Sequence, residues 1–239
     1  MTARGFTALK VSHVTPDDRW LAETWPFVDA ALPPAPAAAL EIGCGPLGGF
    51  VPALLDTGYD AVGIDPEAPD APRFQRCQFE DYQLARPVDA IIACTSLHHV
   101  ADLDEVLDRI AGALVPGGTL VVVEWASELF DEATAGWCFA RVGAPGHDAE
   151  PGWLHRRHSE YLASGQSWDA YCRSFVEEER LHAGEQILRG LDARFDRLSC
   201  AYGPYFFADL ADTSAASEQA AIDAGQIQAT CIRYTGRRR

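Results

Sequence analysis

This chain is short of positive charge, of long apolar runs and of paired cysteines, and each shortage removes a class of protein. Lys and Arg total 19 against 35 Asp and Glu, a formal net charge of −16. Affinity for phosphate backbones comes from Lys and Arg, so the balance argues against a general nucleic-acid binder. The basic cluster His155-Arg156-Arg157-His158 is too short to read as a nucleic-acid patch, and Arg237-Arg238-Arg239 reads as a frayed tail. Apolar runs such as Gly118 to Val123 are far too short to span a bilayer, so no membrane partner is expected. No basic stretch followed by an apolar region opens the chain, so no signal peptide is expected. The seven cysteines are odd in number and form no Cys-x-x-Cys, which reads as a reduced, cytoplasmic protein without a metal framework.

What is present is the rhythm of an α/β domain. Pro16-Asp17-Asp18 opens a helix-like segment to about Leu32, with Trp20, Leu21, Trp25 and Val28 on one face. Apolar strand-like runs follow at about 38–42, 61–65, 73–78, 88–94 and 119–124, with helical patterns at about 49–56 and 102–114 between them. The strands are apolar throughout rather than alternating, the mark of a parallel sheet covered on both faces. From Trp125 to Arg197 no strand is convincing, and three or four helices are expected there. Strand character resumes over 197–205, then helix over 214–224 and a last strand over 227–234, a pair able to run antiparallel at the edge.

The densest signal is Leu40-Glu41-Ile42-Gly43-Cys44-Gly45-Pro46-Leu47-Gly48-Gly49. Strand, glycine turn and helix in that order build a nucleotide site, because glycines let a ligand press against the main chain. Gly43-x-Gly45-x-x-Gly48, with Asp65 about 20 residues on, matches the dinucleotide fingerprint, and Asp65 can accept from both hydroxyls of a ribose. Against a nicotinamide enzyme stands Glu41, whose carboxylate a pyrophosphate would not welcome.

Four motifs in order carry a resemblance. They are Glu41-Ile42-Gly43-Cys44-Gly45, the acid-ended Gly63-Ile64-Asp65, Thr95-Ser96-Leu97-His98-His99-Val100, and Leu114-Val115-Pro116-Gly117-Gly118-Thr119-Leu120. Together they resemble the small-molecule branch of the class I S-adenosylmethionine-dependent methyltransferases. The resemblance implies an α/β, Rossmann-like three-layer sandwich. Its seven-stranded sheet would be mainly parallel, with an antiparallel C-terminal strand and a helical lid insertion. It implies one methyltransferase domain, divided into an N-terminal helix and linker (16–36), a cofactor-binding core (38–124), a lid and substrate insertion (125–197) and a C-terminal strand pair (198–239). Its cofactor would be S-adenosyl-L-methionine, held by Glu41, Gly43, Cys44, Gly45, Asp65, Pro66, Gln78, Phe79 and Thr95. Two departures stand out: Pro46-Leu47 delays the third glycine, and Gln78 stands where the family carries an adenine-binding Asp. The Gln78 amide oxygen can still accept from an amine, and Phe79 would cover the adenine face.

Methyl transfer needs a nucleophile held in line and water excluded. His98 and His99 are the candidate general bases, at most one of them facing substrate. Glu124 and Trp125 end a strand at the ligand edge and are candidate substrate contacts, Trp125 also as a cation–π partner for the sulfonium. From the insertion, Trp137, Trp153, His155, His158, Trp168 and Tyr171 are expected to ring a small organic acceptor. No metal is expected at His155 and His158, since no acid or cysteine stands at ligand spacing. The expected partner is a small-molecule methyl acceptor, with a homodimer allowed. Two other readings stay open: an NAD-dependent oxidoreductase, and a cofactor-binding protein without methyl transfer.

Overall fold

The computed structural model describes residues 15–143 and 152–239. The first helix, α1 (Pro16–Ala31), starts at a capping box in which Thr15 and Asp18 exchange side-chain and backbone bonds. Then come β1 (Ala38–Ile42), α2 (Val51–Asp56), β2 (Asp60–Ile64), β3 (Phe74–Gln75), β4 (Val88–Cys94), α3 (Leu103–Ala113) and β5 (Leu114–Trp125). The 125–197 region folds as α4 (Glu132–Phe139), α5 (Trp153–Ser164), α6 (Trp168–Glu178) and α7 (Gly184–Arg194), with 144–151 outside the described residues. The chain closes with β6 (Phe195–Gly203), α8 (Ala215–Asp223) and β7 (Cys231–Arg238).

The seven strands form one sheet in the order β3-β2-β1-β4-β5-β7-β6. β1 to β5 pair in parallel, and β7 runs antiparallel between β5 and β6. Alternate residues of β4 explain its unbroken apolar run. Ile91 and Ala93 pack on one face with Leu107 and Ile110 of α3 and Ile187 and Leu191 of α7. Ala90 and Ile92 pack on the other with Val28 of α1 and Phe50 and Leu54 beside α2. Each such Ile, Leu, Val or Phe side chain contributes about 1.5–3 kcal/mol by leaving water.

Three expectations need correction. Pro116-Gly117-Gly118 does not precede the fifth strand as a separate turn. It lies inside β5 as an irregularity, where pairing passes from Val88↔Leu114 to Ala90↔Thr119. The third strand shrinks to two residues. The last strand is shifted toward the C-terminus, and the tail read as frayed is part of it. Arg237 pairs with Thr119 and Asp196, and Arg238 donates to the Leu114 carbonyl. Arg239 bonds Asp196 at 2.9 Å and the carbonyls of Asp192, Ala193 and Phe195. Backbone pairing on both sides of β7 overrides the charge repulsion that made the run look like solvent-facing chain.

The insertion has its own aromatic core. Trp125, Phe130, Leu154, Trp168, Tyr171, Phe175 and Phe206 are buried together. The loop carrying Phe206 is held by Glu218 of α8, whose carboxylate accepts from the N–H groups of Tyr205 (2.8 Å), Phe206 (3.1 Å) and Phe207 (2.6 Å). Glu218 is buried, and its removal leaves those N–H groups unmet. Glu218→Ala is expected to cost roughly 3 kcal/mol, read as a lower urea midpoint, and Glu218→Gln less. A midpoint equal to the parent's would refute the anchoring role.

Candidate active site

In a parallel sheet, ligands gather at the carboxyl ends of the strands, outside the point where strand order reverses. β1 and β4 meet there. β1 ends in Glu41-Ile42, and the loop that follows turns on Gly43, Gly45, Gly48 and Gly49, all at positive φ. The two later glycines have separate reasons. A Cβ on Gly48 would stand 2.7 Å from the Phe74 ring, and one on Gly49 would collide with a Glu41 carboxylate oxygen. Around Gly45 nothing lies within 4 Å of a Cβ position.

Glu41 is buried, and both of its oxygens accept from the Phe50 N–H, at 3.1 and 2.8 Å. The carboxylate thus occupies the N-terminal end of α2, where a dinucleotide's pyrophosphate would sit. Burial pushes its pKa up to about 8, against the lowering pull of the Phe50 and Val51 N–H groups, and Asp65 adds to the rise. Cys44, also buried, has its thiol pushed up to about 12 by burial first and by Glu41 second, so it is a neutral packing group over Gly63.

Glu41, Gly43, Cys44 and Gly45 line a cleft of about 270 Å³. Thr95 after β4, Asp17, Trp20 and Leu21 of α1, Pro46 and Leu47 of the glycine loop, and Tyr205 and Asp209 of the 204–213 loop also line it. The other four predicted cofactor residues do not line this cleft. Asp65 ends β2, where its oxygens accept from Gly45 N–H (3.0 Å) and Glu67 N–H (2.7 Å). Pro66 and Gln78 are exposed. Phe79 is turned into the main core beneath the Arg109 guanidinium, 5.4 Å from its ring centre, rather than offering a free face.

A second chamber, of about 260 Å³, shares Thr95, Tyr205 and Asp209 with the first. Its remaining lining is His98, His99, Trp125, Trp153, Phe175 and Leu181. Thr95 turns the chain between the two spaces at φ 47°, a left-handed conformation that costs a β-branched residue about 1–3 kcal/mol. It opens the 3-10 turn Leu97–His99.

That turn is organised by Glu124, which has no exposed surface. One oxygen accepts from Ser96 N–H (2.7 Å) and Leu97 N–H (2.6 Å); the other accepts from Trp125 N–H (3.2 Å) and lies 2.5 Å from His98 Nδ1. A carboxylate only accepts, so Nδ1 carries a proton, and in the neutral ring the lone pair is on Nε2. The His98 carbonyl is fixed by the His182 N–H at 3.0 Å. His99, its ring centre 4.2 Å from that of His98, has its pKa lowered by desolvation and by His98. Glu124 is therefore a positioning residue rather than a substrate contact.

Of the insertion's predicted contacts, only Trp153 lines the chamber. Trp168 donates from Nε1 to the Phe130 carbonyl at 2.9 Å, and the Tyr171 hydroxyl bonds Glu160 at 3.2 Å; both form the layer behind the wall. Trp137 holds the Arg141 guanidinium 4.1 Å from its ring, and His158 stacks on Phe139 at 4.3 Å. His155 sits half-buried on α5. These last three line neither space. Tyr205, Asp209, Phe175 and Leu181 were missed, because the 204–213 loop reads as a strand's end and Phe175 as one apolar position of a helix.

Sheet order and site together define a class. The dinucleotide fold places its strands 3-2-1-4-5-6, whereas here an antiparallel β7 enters between β5 and β6. The chain belongs to the methyltransferase domain family, whose profile matches residues 18–175. An uncharacterized methyltransferase of Mycobacterium tuberculosis is 31% identical over 114 residues, covering 42% of this chain and 57% of its own length. A counterpart in Mycobacterium bovis matches to the same extent, so the match spans little more than half of these relatives. The fold is also that of the N-methyltransferase NodS from Bradyrhizobium japonicum, solved with S-adenosyl-L-homocysteine. TM-score is 0.51 at 16% identity, over 95% of this chain and 89% of that one. It is likewise that of geranyl diphosphate C-methyltransferase from Streptomyces coelicolor, with TM-score 0.52 at 15% identity, over 91% and 80%. The oxidoreductase and silent-binder readings find no support in these likenesses.

Glu41 makes stability depend on pH. Its folded pKa of about 8 lies above the ordinary 4.5, so the folded state keeps a proton that the unfolded chain releases. Stability from this group is complete below about 4.5 and is lost as pH rises toward about 8. Glu41→Gln is expected to flatten that decline, seen as a smaller drop in urea midpoint between about pH 5 and pH 8. Equal drops in parent and variant would refute it.

Proposed function

We propose that this protein is an S-adenosylmethionine-dependent methyltransferase that moves a methyl group to oxygen, nitrogen or carbon of a small organic molecule. The observation that carries this reading is the junction of two spaces at Thr95, Tyr205 and Asp209, with the Glu124–His98 pair on the acceptor side. The cleft residues fit the cofactor. Gly45 leaves open the volume its Cβ would fill, and Asp65, which follows β2 just outside the cleft lining, has lone pairs suited to a ribose diol. Solved neighbours of this fold hold S-adenosyl-L-homocysteine. When bound, the cofactor supplies a methyl carbon made electrophilic by its sulfonium.

The chain's own residues do the rest. Trp125, Trp153, Phe175 and Leu181 exclude water and hold a small acceptor in one pose. His98 Nε2 takes the proton from an acceptor hydroxyl or amine, and the Glu124 carboxylate stabilises the imidazolium that results. Among the described residues no helix is long and apolar enough to cross a membrane, and a small molecule in water is the fitting partner.

The test is a melting and turnover series. The protein should gain several degrees of Tm with S-adenosylhomocysteine and none with NAD. Gly45→Ala should weaken S-adenosylhomocysteine at least about tenfold by filling the cleft. His98→Ala should bind it normally and lose about a hundredfold or more in methyl transfer over a panel of small amines and phenols, whereas His99→Ala should not. Stabilisation by NAD alone would overturn the function, and full rate in His98→Ala would overturn the base.

A further inference from the structure

The acceptor chamber is chemically one-sided. Four of its walls are aromatic, Trp125, Trp153, Phe175 and Tyr205, and Asp209 stands where it joins the cofactor cleft. Trp125 and Tyr205 lie nearly parallel at 18°, and Trp125 and Trp153 meet edge to face at 81°. No lysine or arginine is among the residues lining either space. The guanidiniums nearby are engaged elsewhere. Arg19 donates to the carbonyls of Phe207, Ala208 and Thr213. Arg157 pairs with Glu160 at 2.8 Å and lies 4.6 Å from the Phe175 ring.

Asp209 itself has no partner: among the described residues its carboxylate makes no hydrogen bond or ion pair. Surrounding protein, and the Asp17 carboxylate after it, push its pKa up to about 6, with Arg19 pulling the other way. Asp209 is exposed at the junction of the two spaces, Arg19 acts on its carboxylate only from a distance, and the negative charge that remains gains from a positive guest. The aromatic faces point to the same guest, because their π-clouds are negative and attract cations.

We infer that the methyl acceptor is a small organic cation, an apolar or aromatic molecule bearing a protonated amine, and that Asp209 is the residue that selects it. This rests on the methyltransferase reading only for the word acceptor; the recognition stands on the chamber. An anionic molecule meets Asp209 in the chamber and the −16 charge of the whole chain. A neutral one gains nothing from the Asp209 charge. The volume of about 260 Å³ suits a molecule of one or two rings.

Three matched probes test it: tryptamine, its neutral alcohol analogue tryptophol, and the anion indole-3-propionate. Each is titrated into the full-length protein, with and without S-adenosylhomocysteine, by calorimetry. Tryptamine is expected to bind at least about tenfold tighter than tryptophol, with the anion weakest. Asp209→Asn should bring tryptamine and tryptophol to within about twofold, and Asp209→Arg should favour the anion. Both variants should keep the parent's Tm within a few degrees, since Asp209 has no side-chain partner to lose. Equal binding of the three probes, no tryptamine binding at millimolar concentration, or an unchanged preference in Asp209→Asn would each overturn the inference. If Asp209→Asn weakens S-adenosylhomocysteine but not tryptamine, Asp209 serves the cofactor and the inference falls. Failure of S-adenosylhomocysteine to bind the parent would strike the methyltransferase reading instead, and tryptamine selectivity remains readable without it.

Discussion

A carboxylate taken out of water must have its lone pairs filled by the protein, and this site is assembled around that demand. Glu124 meets it with the N–H groups of Ser96, Leu97 and Trp125 and with the His98 ring. Desolvating one acid costs several kcal/mol before compensation. The backbone around it is therefore not free to choose another path. The strained Thr95, the 3-10 turn and the His98 tautomer are three consequences of one buried charge.

The same device recurs at the two other walls. Glu41 draws the glycine loop against the start of α2 through Phe50, and Glu218 gathers the N–H groups of Tyr205, Phe206 and Phe207. Each acid fixes a loop, and each loop lends residues to the two joined spaces. Irregular chain is ordinarily the softest part of an α/β domain. Here it is fastened by hydrogen bonds that water cannot easily compete for. Behind the loops lies a second source of rigidity. Trp125 touches Phe130, Trp153, Phe175, Tyr205 and Phe206 at ring-centre distances of 5.3–6.4 Å, so the chamber's walls are themselves packed core.

The core of this fold was legible because it rests on local pattern. Unbroken apolar runs such as Val88–Cys94 need burial on both faces, and only a covered parallel sheet provides it. Glu41 was legible as part of the cleft because an acid at the end of a parallel strand lies at the ligand edge, whereas Asp65 at the same edge turns its oxygens to the Gly45 and Glu67 N–H groups. What was not legible depends on partners far along the chain. Whether Trp168 lines a chamber or supports its wall is decided by Phe130, 38 residues away. Whether Glu124 meets substrate is decided by the turn 26 to 28 residues before it. Residue type alone says that Trp137 and His158 suit a ligand, and it says equally that they suit Arg141 and Phe139. The tail Arg237–Arg239 failed for the same reason, since charge describes a side chain and β7 is held by its backbone.

The irregular glycine loop follows from the same carboxylate logic. The third glycine is delayed to Gly48 by Pro46-Leu47, which line the cofactor cleft at its α1 side together with Asp17, Trp20 and Leu21. Gly49 must then lack a Cβ, because the Glu41 carboxylate fills the space beside it. α1 closes the outer side of that loop, with Trp20 and Trp25 tilted against Phe50 at 6.3 and 6.0 Å. Its Arg19 reaches across to the carbonyls of the 204–213 loop. The extra residues, the N-terminal helix and the loop bearing Asp209 thus form one connected wall. The end of the cleft where this chain departs most from the glycine pattern of its family is the end that α1 and Arg19 tie to the loop shared with the second chamber.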